Sequence, residues 1–136
     1  MKNSFDTDTI LFKILRDSPV KGAISGDIYY EWDRPADSIK EDITINTVTL
    51  TQDHYPQLGY SNVNIYVPDS IITVGGKQQR VVNRPRLKQL TELAIQAIKD
   101  SRIEGLKANL KWQKPLKEPD INQSFTNIRI SWNIQI

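Results

Sequence analysis

The chain of 136 residues contains no cysteine. That excludes a disulfide framework, thiolate metal sites and a cysteine nucleophile, and it fits a reducing compartment. Nor does any run approach the roughly 20 apolar residues that a membrane-crossing helix needs. Asp6, Asp8 and Lys13 interrupt any apolar core that a secretory leader would require, so a soluble protein is expected. Histidine occurs once, at His54, between Asp53 and Tyr55. A histidine–carboxylate pair can orient a general base, but sequence neighbours seldom have that geometry. No Gly-x-Ser-x-Gly nucleophile motif accompanies it, so His54 reads as a surface histidine.

Phosphate and metal chemistry are equally short of residues. Lys77 follows Gly76, as in a phosphate-binding loop. However, Gln78 stands where that loop needs a hydroxyl, and its first glycine is missing. The acidic run Asp27, Glu31, Asp33, Asp37, Glu41 and Asp42 offers hard oxygen ligands, yet without calcium-loop spacing. No catalytic residue, cofactor or metal site is therefore expected, and the protein reads as a non-enzyme.

What the sequence does have is segregated charge. Residues 1–76 hold 6 Lys/Arg against 11 Asp/Glu, a net of −5. Residues 77–117 hold 11 against 3, a net of +8, and the remainder holds 1 against 2, a net of −1. Such a split can make a basic face for nucleic acid, or two complementary faces that meet between subunits. It can also vanish if the fold intermixes the charges.

A single α+β domain over 1–136 is expected, in the order α-β-β-β-hairpin-α-β-β. Ile10, Leu11, Ile14 and Leu15 form a helical stripe over 7–17, with Thr7 or Asp8 as cap and Pro19 and Gly22 as terminators. In the run 27–32, Ile28, Tyr30 and Trp32 share one strand face. Asp27, Glu31 and Asp33 would share the other, an acidic row able to dock a partner. Residues 33–38 are a loop. The run 41–50 changes parity between Ile45 and Val48, through a bulge near Asn46 or burial of both faces. Residues 52–62 read as a connection and 63–67 as the third strand, ended by Pro68.

Gly75-Gly76 between two β-prone runs signals a hairpin, because both central residues of a type I′ turn need positive φ. Its outer strand is polar, so residues 70–83 are expected to protrude as a hairpin or loop. Leu87, Leu90, Ala94, Ala97 and Ile98 define the second long helix, with Asn83 or Arg84 at its cap and Pro85 in its first turn. Strands 106–112 and 127–136 alternate cleanly, which would bury Trp112, Trp132 and Ile136. Residues 113–123 join them as a loop.

The basic residues Lys77, Arg80, Arg84 and Arg86 lie on this hairpin and the start of the helix, with Lys88, Lys107 and Lys111 beyond. Phosphate contact needs only such charges. Readers of single strands usually add exposed aromatics, and Trp112 is the only aromatic in the basic segment. An exposed hairpin also offers unpaired backbone groups to a neighbour. A basic arm reaching an acidic face of the next subunit would be a heterologous contact, which closes into rings when the rotation allows.

The layout resembles the tail-terminator, or tail-completion, proteins of long-tailed bacteriophages and prophages. The resemblance runs through "ILFKILRDSPVKG", "GDIYY", "DRPADS", "DITINTVTL", "NVNIYV", "RLKQLTELAIQAIKD" and "IRISWNIQI", nearly the whole chain taken as a pattern of elements. It implies a non-catalytic protein that forms a homo-oligomeric ring at the tail–head joint. Its partners would be tail-tube and head-joining proteins, with non-specific DNA in the channel and no membrane. It would be cytoplasmic during assembly and part of the virion tail afterwards. The insertion from about Pro68 to Asn83 departs from the pattern.

Overall fold

The computed structural model describes residues 1–135; the expected core position of Ile136 lies outside them. The chain runs α1 (Ser4–Arg16), α2 (Pro19–Ala23), β1 (Ile28–Tyr30), β2 (Asp42–Leu50), β3 (Gln57–Pro68), β4 (Ser70–Val74), β5 (Lys77–Val81), α3 (Arg84–Asp100), β6 (Leu106–Glu118) and β7 (Gln123–Ile134). Five strands form one sheet in the order β1-β2-β3-β7-β6. Only β1 and β2 are parallel; every other neighbouring pair is antiparallel. The expected α+β class holds, with α2 as an extra short helix where Pro19 and Gly22 were read only as terminators.

The core lies between one face of this sheet and the helices. Leu11 and Leu15 of α1 and Leu87, Leu90, Ala94 and Ile98 of α3 meet Ile43, Ile45, Val63, Ile65, Ile128, Ile130, Trp132 and Ile134. The strand contributors alternate at period two, and antiparallel register brings them to one side. Trp132 is buried because its indole N–H has a partner, donating to Ser61 Oγ at 2.7 Å.

Several boundaries differ from the sequence expectation. Helix α1 starts at Ser4 because Asn3, not Thr7 or Asp8, caps it. Asn3 Oδ1 accepts from the N–H groups of Phe5 and Asp6, and Asp6 Oδ2 accepts from Asn3 N–H in return. Strand β3 starts at Gln57 rather than 63. The Gln57 amide is fully buried, donating to the carbonyls of Lys2 and Thr51 and accepting from Lys2 N–H, so a polar residue enters the sheet satisfied. The supposed loop 113–123 is the closing end of the β6–β7 hairpin. It is tightened by a 3₁₀ turn, Pro119–Ile121, and by Asn122 at φ 54°. Pro115 is tolerated there because β6 is an edge strand.

Two bulges decide which side chains face where. The β2–β3 register shifts between Thr47 and Thr49, just past the expected bulge, leaving Val48 exposed and returning Leu50 to the core side. The β6–β7 register shifts between Leu110 and Trp112. That extra residue reverses parity, so Trp112 pairs with Arg129 and lies on the face away from the helices. Its expected burial is overturned: Trp112 is 42% exposed.

Candidate functional site

Strands β4 and β5 form a separate two-stranded sheet, as the Gly-Gly signal predicted. Gly75 and Gly76 take φ of 59° and 77° at its tip. Ile71 pairs with Arg80, Ile72 with Gln79 and Val74 with Lys77. Period-two alternation therefore puts Ile72, Val74, Lys77, Gln79 and Val81 on one side of the ribbon, and Ile71, Thr73, Gln78 and Arg80 on the other. Every residue from 71 to 80 is exposed. The ribbon's root is fixed: Asp69 N–H donates to Asn122 O, and buried Asp69 accepts from Ser124 Oγ at 2.7 Å. Lys117 Nζ of β6 lies 3.8 Å from Asp69 Oδ2 and donates to Arg80 O. The arm therefore stands at the β6 side of the sheet.

Of the four basic residues singled out in the sequence, Lys77 and Arg80 lie on the arm and Arg84 opens α3 beyond its root. Lys77, Arg80 and Arg84 make no ion pair among the described residues. Arg86 does not belong with them. Its guanidinium donates to both Glu41 carboxylate oxygens, to Ala23 O and to Gln89 Oε1. It ties the first turn of α3 to β2 and α2, and the bond from Arg86 holds the Glu41 carboxyl below its usual range. Sequence proximity grouped Arg86 with the arm, but the turn of α3 points it inward.

The acidic residues are also redistributed. Strand β1 ends at Tyr30, so Asp27, Glu31 and Asp33 do not share a strand face. Asp27 lies before the strand, accepting from Ile28 N–H and pairing with Lys21 at 3.5 Å. Glu31 and Asp33 lie in the turn after β1, flanking Trp32, whose φ is 75°. Trp32 was expected inside; it is 92% exposed. This turn and the first turns of α1 enclose a groove of about 440 Å³, lined by Phe5, Asp8, Tyr30, Glu31, Trp32 and Asp33 among others. Phe5 is 78% exposed on its rim. Burial pushes the Asp8 carboxyl up, against the bond it accepts from Thr47 Oγ1 at 2.7 Å. None of Asp8, Glu31 and Asp33 has a cation partner among the described residues.

Asp42, like Glu41 before it, has structural work. Asp42, almost fully buried, accepts from Arg34 Nε at 2.9 Å, from Ser38 Oγ and from Asp27 N–H. Arg34 continues to Gln123 Oε1 and lies over the Tyr66 ring at 4.2 Å. These bonds fasten the loop 33–38 across the end of the sheet.

The sheet face away from the helices carries a second group that sequence parity hid. The Arg129 guanidinium lies 5.3 Å from the Trp112 ring and 5.9 Å from Tyr60. Lys114 stands 5.4 Å from Trp112 and Lys111 stands 5.8 Å from Tyr60. Arg129 Nε is buried with no hydrogen-bond partner among the described residues. His54, by contrast, meets only its neighbour Asp53, at 3.1 Å, with both side chains about three-quarters exposed. Among the described residues no group of three or more His, Asp and Glu could hold a metal ion.

No family model matches the chain, and no curated protein matches its sequence at a significant level.

Proposed function

We propose that this chain is a structural, self-assembling subunit of the tail-terminator kind, which forms a ring at the tail–head joint of a long-tailed phage or prophage and carries out no catalysis. The observation that carries the reading is the β4–β5 arm. It is an isolated two-stranded ribbon with Ile71, Ile72 and Val74 uncovered. A lone ribbon of this kind is marginal in water and gains stability by docking. Lys77 and Arg80 on the arm, and carboxylates elsewhere on the surface, none of them ion-paired among the described residues, supply the complementarity a repeated contact needs. The resemblance in element order points the same way. The test is co-purification with tail tubes: the protein should cap tube ends as rings visible by electron microscopy. Tubes that remain bare at saturating protein would end the reading.

A second reading treats the chain as a small binding module for nucleic acid or an acidic protein. It draws on the basic arm and on the cation–aromatic group at Tyr60, Trp112, Arg129, Lys111 and Lys114. Exposed aromatics with cations are what sequence-tolerant single-strand binders use. Binding of a single-stranded oligonucleotide, weakening steeply with salt and on charge reversal at Lys111 and Lys114 or at Arg80 and Arg84, is the expected outcome. Salt-independent binding, or none, would count against it.

A further inference from the structure

We infer that the groove between α1 and the β1 turn is the socket for the β4–β5 arm of a second copy of this chain. The inference rests on the ring reading above and specifies its contact.

The arm and the groove match in two independent respects. One side of the arm presents Ile72 and Val74, with the Lys77 ammonium at the tip. The groove presents two large exposed rings, Phe5 and Trp32, with the carboxylates of Asp8, Glu31 and Asp33. Ile72 and Val74 laid on the Phe5 and Trp32 rings remove exposed apolar groups of both surfaces from water, while Ile71 stays on the other side of the ribbon. The same placement brings Lys77 to three carboxylates that have no cation of their own among the described residues. Arg80 emerges on the other side of the ribbon and is left for the rim.

Placement excludes the arm of the same molecule. Lys117 of β6 holds the arm at one side of the sheet, whereas the groove flanks β1, the opposite edge strand. A contact from one edge of a subunit to the opposite edge of the next is heterologous and repeats head to tail, so it closes into a ring or extends as a filament. A five-residue ribbon is about 17 Å long, so one such contact is small beside a standard interface. Ring closure, in which every subunit is held twice, supplies the avidity.

Charge exchange tests the pairing. Lys77→Glu places a carboxylate against an acidic groove, and the double variant Glu31→Lys, Asp33→Lys places two ammonium groups of the groove against a basic arm. Each alone should associate at least about tenfold more weakly than the parent in sedimentation velocity. Mixed one to one, the two should restore association, because every arm then meets a complementary groove in the alternating assembly. The absence of native cysteine allows a second readout. Val74→Cys mixed with Glu31→Cys should give the mixed disulfide in preference to either homodimer. A parent protein that forms rings, with no rescue and no mixed disulfide, overturns the socket and leaves the ring reading intact. A parent that neither self-associates at high concentration nor joins tail tubes overturns both. Cross-linking of the arm to tube protein alone overturns the assignment to a second copy.

Discussion

Arg86, in the first turn of α3, holds the Glu41 carboxylate, just before β2, with two donors and adds a third bond to the carbonyl of Ala23. One guanidinium thus joins three elements that are far apart in sequence. Arg86→Ala leaves a nearly buried carboxylate with only the Ser25 N–H bond and no cation, and a carbonyl without its donor, so it should cost about 2–4 kcal/mol in urea unfolding at neutral pH. The pair also sets a pH dependence. The folded pKa of Glu41 is lowered from 4.5, so its stabilisation is present above about that value and is lost as the pH falls through the folded pKa. Arg86→Ala should flatten this acid limb of the stability curve.

Asp8 behaves with the opposite sign. Its folded pKa is raised from 3.8, so the folded state is favoured by its protonation, and that contribution is lost as the pH rises through the folded value. At neutral pH the ionised side chain costs stability. Asp8→Asn keeps an oxygen for Thr47 and should raise Tm slightly, while weakening arm docking if the groove is the socket. Thermal melts and sedimentation of the same variant separate the two effects.

Gly59 has no room for a side chain. A Cβ there would lie 2.1 Å from Thr49 O and 2.9 Å from Leu50 Cα, both backbone atoms at the β2 bulge. Gly59→Ala must push two central strands apart and should destabilise by about 1–3 kcal/mol, visible as a lowered urea midpoint.

Gly76 is a contrasting case. Its φ of 77° disfavours any β-branched residue, although open space surrounds it. Gly76→Val should cost about 1–2 kcal/mol locally. Because the ribbon is separate from the main sheet, the loss should be confined to it. Hydrogen exchange should accelerate over residues 70–81 with global Tm nearly unchanged.

Trp112 distinguishes packing from recognition. It is half-exposed and outside the core, so Trp112→Ala should cost about 1 kcal/mol or less in stability. If the open sheet face binds single strands, the same substitution should cost about 1–3 kcal/mol in oligonucleotide affinity by fluorescence anisotropy. Unchanged affinity would leave Trp112 without a role in binding.

Residues whose signal is local were legible in the sequence. Gly75-Gly76 announced its turn because positive φ is a backbone requirement, and the stripe Leu87, Leu90, Ala94 and Ile98 announced α3 because helical spacing is short-range. Trp112 and Trp32 were misplaced for one shared reason: alternation was carried past the point where the ladder broke. A bulge beside Lys111 reversed one, and a turn after Tyr30 ended the other. Gln57 was missed because its amide is satisfied by the backbone of Lys2, 55 residues away, whereas the Asn3–Asp6 capping box is a local signal that was passed over in favour of Thr7 and Asp8. Arg86 was grouped with Lys77 and Arg80 by proximity, whereas a turn of helix separates their directions.

The α+β class, the Gly-Gly hairpin, two amphipathic helices and the charge imbalance along the chain could be read in the order of residues, because each depends on neighbours within a few positions. Which charges are spoken for was set by the folding of the chain in three dimensions. Glu41, Asp42, Arg34 and Arg86 are consumed in internal pairs, while Lys77, Arg80, Asp8, Glu31 and Asp33 have no ion pair among the described residues. The reason is physical: a charge is neutralised by what stands within a few ångströms of it, and chain folding rather than chain order sets those distances.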